Sequence, residues 1–203
     1  MSAALDLAHA LGTPRLPRRR MTVAEFMAWN PGDGTVERWV LRDGEPEMMT
    51  PPSGRHGWIQ AELARLLGNH LAERGSRCVV ATNPGVIPAL RSRHNMLSPD
   101  IGITCDPDPN VHELTRPVVL IELLSPSNES ETRANVWAFA TLPSVMEIVL
   151  IDCVRIAAEV LRRGPDGAWP ADPEMLGAED VLRLPSIGFA EPLRAAYRTA
   201  GLS

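Results

Sequence analysis

The chain has 203 residues, 44% of them hydrophobic, 22% charged and 4% aromatic, with a formal net charge of −5. A folded chain of this length buries about 70% of its unfolded surface, so a core needs no metal or disulfide staple. No apolar run reaches the ~18 residues of a membrane-spanning helix, and the acidic balance argues against a protein that coats phosphate with a broadly basic face. All 20 basic residues are arginine. Walker-type phosphate binding, Schiff-base chemistry and the lysine of a standard nuclease triad are therefore excluded.

Residues 1–20 read as a loosely ordered tail, weakly amphipathic at first and then prolyl and basic from Pro14 to Arg20. The order of apolar and charged parts is the reverse of a secretory signal, and Met21 offers an alternative native start. Thr22-Val23-Ala24-Glu25 fits a capping box, which predicts a short helix to about Trp29. Val36–Arg42 and Glu45–Thr50 flank Asp43-Gly44, a hairpin turn signal. Arg55–Arg74 carries Ile59, Leu63, Leu66, Leu67 and Leu71 at helical spacing, and Gly75 ends the pattern.

Strands are predicted over Arg77–Thr82, Val86–Leu90, Asp100–Cys105 and Val118–Leu124, the last buried on both faces. Ser127–Phe139 reads as a helix capped by Ser127 or Asn128. A hairpin of Glu147–Ile151 and Arg155–Arg162 follows, then short elements and a closing helix near Glu191–Thr199. Strands outnumber the two long helices, which predicts an α/β fold with one mixed sheet flanked by helices. Cys78, Cys105 and Cys153 are widely spaced and odd in number. They read as separate buried thiols in a reducing, cytoplasmic setting.

Two carboxylates stand where carboxylates are expensive. Glu122 interrupts the apolar strand Val118–Leu124, and Asp100 opens another strand after Ser98-Pro99. Two strand ends of this spacing would aim both acids into one cleft. With the Leu123 carbonyl they supply the hard oxygens that Mg²⁺ prefers. The competing readings are a strand-entry cap for Asp100 and an internal ion pair of Glu122 with Arg133 or Arg155. His56 and Gln60 lie one turn apart at the start of the long helix, where they either line the cleft or serve the helix start. Arg91, Arg93 and His94 form a small basic loop that suits either phosphate or solvent. The aromatics read as core or subunit-contact residues.

Ser98-Pro99-Asp100-Ile101-Gly102-Ile103-Thr104 and Pro117-Val118-Val119-Leu120-Ile121-Glu122-Leu123-Leu124-Ser125-Pro126-Ser127 together resemble a bacterial restriction-endonuclease family of the PD-(D/E)XK superfamily, formerly a domain of unknown function. Thr22–Phe26, Asp43-Gly44-Glu45-Pro46, His56 and Leu142-Pro143-Ser144 support the resemblance, which covers Met21 to about Arg163. It implies a restriction-endonuclease-like domain over 21–203 and a Mg²⁺- or Mn²⁺-dependent site with Asp100, Glu122 and Leu123 on the metal. It further implies DNA as the substrate and a homodimer as the form that cuts two strands.

The chain departs from the family twice. The superfamily lysine position holds Leu124, and the family's alternative lysine on the next helix is matched by Asn135, after the acid Glu131. Trp39-Val40 stands where the family carries an aromatic followed by glutamate. Arg133 offers a substitute cation, although the helical period points it about 160° from Asn135. The expected function is a Mg²⁺-dependent DNA endonuclease using Asp100, Glu122, Arg133 and Asn135. The alternative is a catalytically weakened nuclease fold that serves binding or assembly.

Overall fold

The computed structural model describes residues 20–29 and 38–202. The expected tail lies outside the described residues apart from Arg20, as do Val36 and Glu37 of the predicted hairpin. The chain clusters into two compact units. Of the described residues, one unit contains those up to Pro51 together with Arg91–Leu97, and the other contains Pro52–Leu90 and those from Ser98 onward.

In the first unit, α1 (Val23–Met27) begins on the expected capping box. The Thr22 hydroxyl accepts from the Glu25 amide, and the Glu25 carboxylate accepts from the Thr22 amide at 2.8 Å. Strands β1 (Trp39–Arg42) and β2 (Glu45–Met48) pair antiparallel around Asp43 and Gly44, with φ of 49° and 83°. Positive φ at both central residues is what a tight hairpin requires, and it explains the Asp-Gly choice. Leu41 is fully buried and bridges to Met96.

The second unit holds a six-stranded sheet in the order β3-β4-β5-β6-β7-β8. Its strands are β3 (Val79–Thr82), β4 (Ile101–Thr104), β5 (Pro117–Leu124), β6 (Glu147–Asp152), β7 (Ala158–Arg162) and β8 (Glu174–Leu176). All pairings are antiparallel except β5 with β6, which are parallel and joined through helix α3 (Glu129–Ala140). A parallel neighbour needs such a crossover, whereas the other pairs need only turns or loops. Strand β5 is one of the two central strands, and its residues from Val119 to Leu123 are all buried. A two-stranded ribbon of β9 (Val181–Leu184) and β10 (Phe189–Pro192) follows.

Helix α2 (Gly54–Glu73) lays Ile59, Leu63, Leu67 and Leu71 against this core, and Gly75 terminates it at φ 58°. The periodic stripe thus faces inward as its spacing requires. No described helix is long and apolar enough to cross a membrane.

Three local expectations are corrected. Val86–Leu90 forms no strand. Pro88 lacks a donor for a ladder, and the Ala89 and Leu90 amides donate to Thr141 Oγ1 instead. The closing helix is a short 3₁₀ segment, Leu193–Tyr197, held by the Tyr197 hydroxyl on backbone carbonyls of Asp152 and Ala157. Cys78 and Cys105 are joined by a disulfide, while Cys153 is a buried free thiol. The β3–β4 register pairs Val79 with Thr104, so the next residues outward are the two cysteines. Cysteine content therefore no longer points to a reducing compartment.

Glu62 is a buried carboxylate on α2 that pattern reading passes over. Arg65 and Arg198 both hydrogen-bond it and hold its carboxyl at about 2, below its ordinary 4.5. A depressed folded-state value stabilises the fold above the unfolded value, and that contribution disappears as pH falls from about 4.5 to about 2. Both arginines remain in water, which screens the pair. Glu62→Gln is expected to lower Tm by about 2–4 °C at pH 7. The difference from wild type should vanish at the acid end of a calorimetric pH series.

Candidate active site

The site lies within the second unit and starts from strand register. Ile101 on β4 pairs with Ile121 on β5. One step outward on an antiparallel pair sets Asp100 opposite Glu122, with both side chains on one face. Asp100 is 8% exposed and Glu122 is 5% exposed. The two acids that the sequence singles out are thus neighbours in a buried pocket.

Four groups from three elements fix them. The Leu123 amide donates to Asp100 Oδ2 at 2.7 Å. His56 Nε2 lies 2.9 Å from Asp100 Oδ1. A carboxylate can only accept, which puts the imidazole proton on Nε2. Gln60 Nε2 donates to the Asp100 carbonyl at 2.7 Å, so both polar residues of the α2 entrance reach Asp100. Ser53 caps α2 by accepting from the His56 amide. That cap sets the first turn, and the first turn sets the imidazole. On α3, Asn135 Nδ2 donates to Glu122 Oε1 at 2.9 Å.

The connection from β5 to α3 is built by Asn128. It is the N-cap residue, as expected, but its side chain makes no capping bond. Instead its Oδ1 accepts from the Ser125 amide at 2.8 Å and its Nδ2 donates to the Leu123 carbonyl at 3.2 Å. An Asx-type closure of this kind holds the Ser-Pro-Ser turn in place.

Arg133 is not brought to the pocket. Its guanidinium grips both oxygens of Glu159 on β7 and also reaches Glu129. Arg155 is engaged with Asp152. Neither therefore forms the internal ion pair with Glu122 that was the competing reading. Val40 and the Arg91–His94 loop belong to the other unit, where Arg91 pairs with Asp43.

Burial pushes the Glu122 carboxyl well above its ordinary value, and the Asp100 charge adds to the shift. The Asn135 amide and the Asp100 main-chain N–H oppose it, while Glu131 reinforces it. Two acids facing one another in low dielectric cannot both ionise cheaply unless positive charge joins them.

Among the described residues, no three His, Cys, Asp or Glu side chains converge on a point that would hold a metal. The oxygen set is smaller: two carboxylates and the Leu123 carbonyl. It nevertheless suits a hard divalent cation that keeps several waters. The buried, mutually repelling carboxyls are the observation that makes the fit.

A mixed sheet with a β5–α3–β6 crossover and acids at paired strand positions is the core of a nuclease-type fold. Consistent with this, a solved structure described as a putative nuclease belonging to DUF820 from Anabaena variabilis ATCC 29413 matches with a TM-score of 0.68. It shares 17% sequence identity and is aligned over 87% of this chain and 97% of that one. The family model of Uma2, putative restriction endonuclease, matches residues 23–194, and the chain belongs to that family. No curated protein sequence matches.

Sequence reading placed Asp100, Glu122, Leu123 and Asn135 where the structure gathers them. It left His56 and Gln60 open, and it offered Arg133 for a position that the fold does not give it.

The raised Glu122 value has a thermodynamic sign. A carboxyl whose folded value lies above its unfolded one favours the fold below the unfolded value and loses that contribution as pH rises. Glu122→Gln is expected to raise the Tm of protein in EDTA by a few degrees at pH 8. The gain should shrink toward pH 4, as read by differential scanning calorimetry.

Proposed function

We propose that this chain is a divalent-metal-dependent DNA endonuclease that hydrolyses phosphodiesters at the Asp100–Glu122 pocket. The observation that carries this reading is the register that sets two buried carboxyls opposite one another without an arginine between them. Family membership and the nuclease-type fold support it.

Asp100, Glu122 and the Leu123 carbonyl would hold the ion. When bound, Mg²⁺ or Mn²⁺ supplies a Lewis acid that activates water and neutralises charge on the phosphoryl oxygens. The chain's own groups orient the site. The Leu123 amide and His56 fix the plane of the Asp100 carboxylate through its two oxygens. Asn135 fixes Glu122 from the opposite element. A carboxylate locked in one rotamer keeps its remaining lone pairs aimed at a single point.

One observation favours a second reading, a weakened nuclease fold used for binding. Asn135 carries no charge where the family carries lysine, and the whole chain contains none. Losing one preorganised electrostatic group of this kind costs roughly 10²–10³ in rate in other enzymes. A homodimer would present two such pockets to the two strands of a duplex.

Supercoiled plasmid incubated with Mg²⁺ or Mn²⁺ should be nicked, and EDTA should stop the reaction. Asp100→Asn and Glu122→Gln should each reduce nicking at least 100-fold. Metal-independent or persistent cleavage by these variants would refute the assignment. Absence of nicking by wild type with either ion, together with retained duplex binding, would favour the second reading.

Asn135→Lys should raise the rate about 10-fold or more, because an ammonium beside Glu122 keeps it ionised and supplies the missing charge. The same plasmid assay reads the gain.

A further inference from the structure

Among the described residues, no arginine bonds either acid of the proposed pocket, yet a phosphodiester is an anion. The arginines on its flanks are taken: Arg133 by Glu129 and Glu159, and Arg155 by Asp152. Arg55 differs. It is exposed, and it makes no ion pair or side-chain hydrogen bond with any described residue.

Position ties Arg55 to the pocket. It sits in the first turn of α2, directly before His56, whose imidazole bonds Asp100. Cys153, directly after β6, is a buried free thiol. That thiol is in turn fixed beside the pocket strand, since the Cys153 amide donates to the Leu124 carbonyl at 2.9 Å. Arg55 thus adjoins in the chain the very residue, His56, that hydrogen-bonds the Asp100 carboxylate.

Trp58 is the i+3 neighbour of Arg55, on the same side of the helix. Its indole is 56% exposed and folds back toward Gly54, where a Cβ would meet the ring at 3.7 Å. A large indole left in water beside an unpaired guanidinium is an uneconomical surface for a protein without a partner there. It suits a polyanion that also carries planar rings.

We infer that Arg55 and Trp58 form the nucleic-acid contact of the pocket. Arg55 grips a backbone phosphate beside the scissile one, and Trp58 stacks on the adjoining base or sugar. Only the choice of a nucleic-acid strand as the anion rests on the phosphodiesterase reading. A guanidinium grips two phosphate oxygens through parallel N–H bonds and stays charged at any working pH. Arginine therefore supplies from the rim part of the positive charge that a lysine would supply from within.

The test uses the full chain and a short fluorescein-labelled duplex, with anisotropy measured in EDTA so that nothing is cut. Arg55→Ala should weaken binding about 3–10-fold and lower the slope of log affinity against log salt by about 1. Arg55→Lys should restore the slope. Trp58→Ala should weaken binding about 5-fold or more with the slope unchanged, because it removes stacking and not charge. Melting temperatures of the Arg55 variants should match wild type, since Arg55 holds nothing else in place.

In the plasmid assay, Arg55→Ala should lower kcat/KM about 10-fold. Wild type that cleaves, with Arg55→Ala equal to it in affinity, salt slope and rate, overturns the Arg55 role and leaves the endonuclease reading standing. Wild type that binds in an Arg55-dependent way without cleaving supports the contact and removes the endonuclease. A chain that neither binds nor cleaves overturns both.

Discussion

The second unit is organised around the repulsion between two carboxyl groups that the β4–β5 register forces together. Asp100 and Glu122 face each other at the end of an antiparallel pair in which Ile101, Ile103, Val119 and Ile121 are fully buried. Like charges directly opposite on a sheet are unfavourable even at a surface, and burial sharpens the effect. The surrounding polar groups can be read as the response. The amide of Leu123 and the imidazole of His56 satisfy Asp100, and Asn135 satisfies one oxygen of Glu122. None of these donors brings the full compensating charge that a lysine or arginine would, and burial beside Asp100 pushes the Glu122 carboxyl well above its ordinary value. The pocket is thereby left in want of a cation.

All 20 basic residues of this chain are arginine, and several of them serve its architecture. Arg163 donates to the carbonyls of Ala140, Leu142 and Val145 and stacks on Trp169, closing the C-terminal end of α3. Arg133 ties the other end of the same helix to β7. Arg198 and Arg65 clamp Glu62 on α2. These forks suit a planar guanidinium with several donors, and a single ammonium would replace them poorly. The struts hold α2 and α3, the two helices that deliver His56 and Asn135. Holding those helices in place supports the pocket's hydrogen bonds from His56 and Asn135.

Legibility from sequence followed the physics of each signal. The amphipathic stripe of α2, the Asp43-Gly44 turn, the capping box at Thr22 and the doubly buried β5 rest on local periodicity or turn chemistry. All four appear as read. Asp100 and Glu122 were legible because a charge inside an apolar strand is conspicuous. Register is a tertiary quantity, and it alone made them neighbours. The Cys78–Cys105 bridge was hidden for the same reason, since only β3–β4 pairing brings residues 27 apart in sequence into contact. Arg133 illustrates the opposite failure. Its helix was located correctly, but the azimuth that points it at Glu159 depends on how α3 sits on β7. Glu62 was illegible because a buried acid on an otherwise regular helix looks like any surface glutamate until its two arginines are seen.

The same reasoning explains why asparagine is tolerated at position 135. A lysine there would form an ion pair with Glu122 in the absence of any other cation, and the desolvation of both charges would be only partly repaid. Asparagine hydrogen-bonds Glu122 in either protonation state and leaves the net charge of the pocket to what enters it. On the proposed reading, the arrangement trades a permanent internal counter-ion for one that is acquired. Fold stability and occupancy are then thermodynamically linked, because anything positive that binds the folded pocket and not the unfolded chain adds to stability by mass action. On the proposed metal-dependent reading, the pocket gains its charge balance on loading, whereas a lysine-bearing arrangement would carry part of that balance all the time.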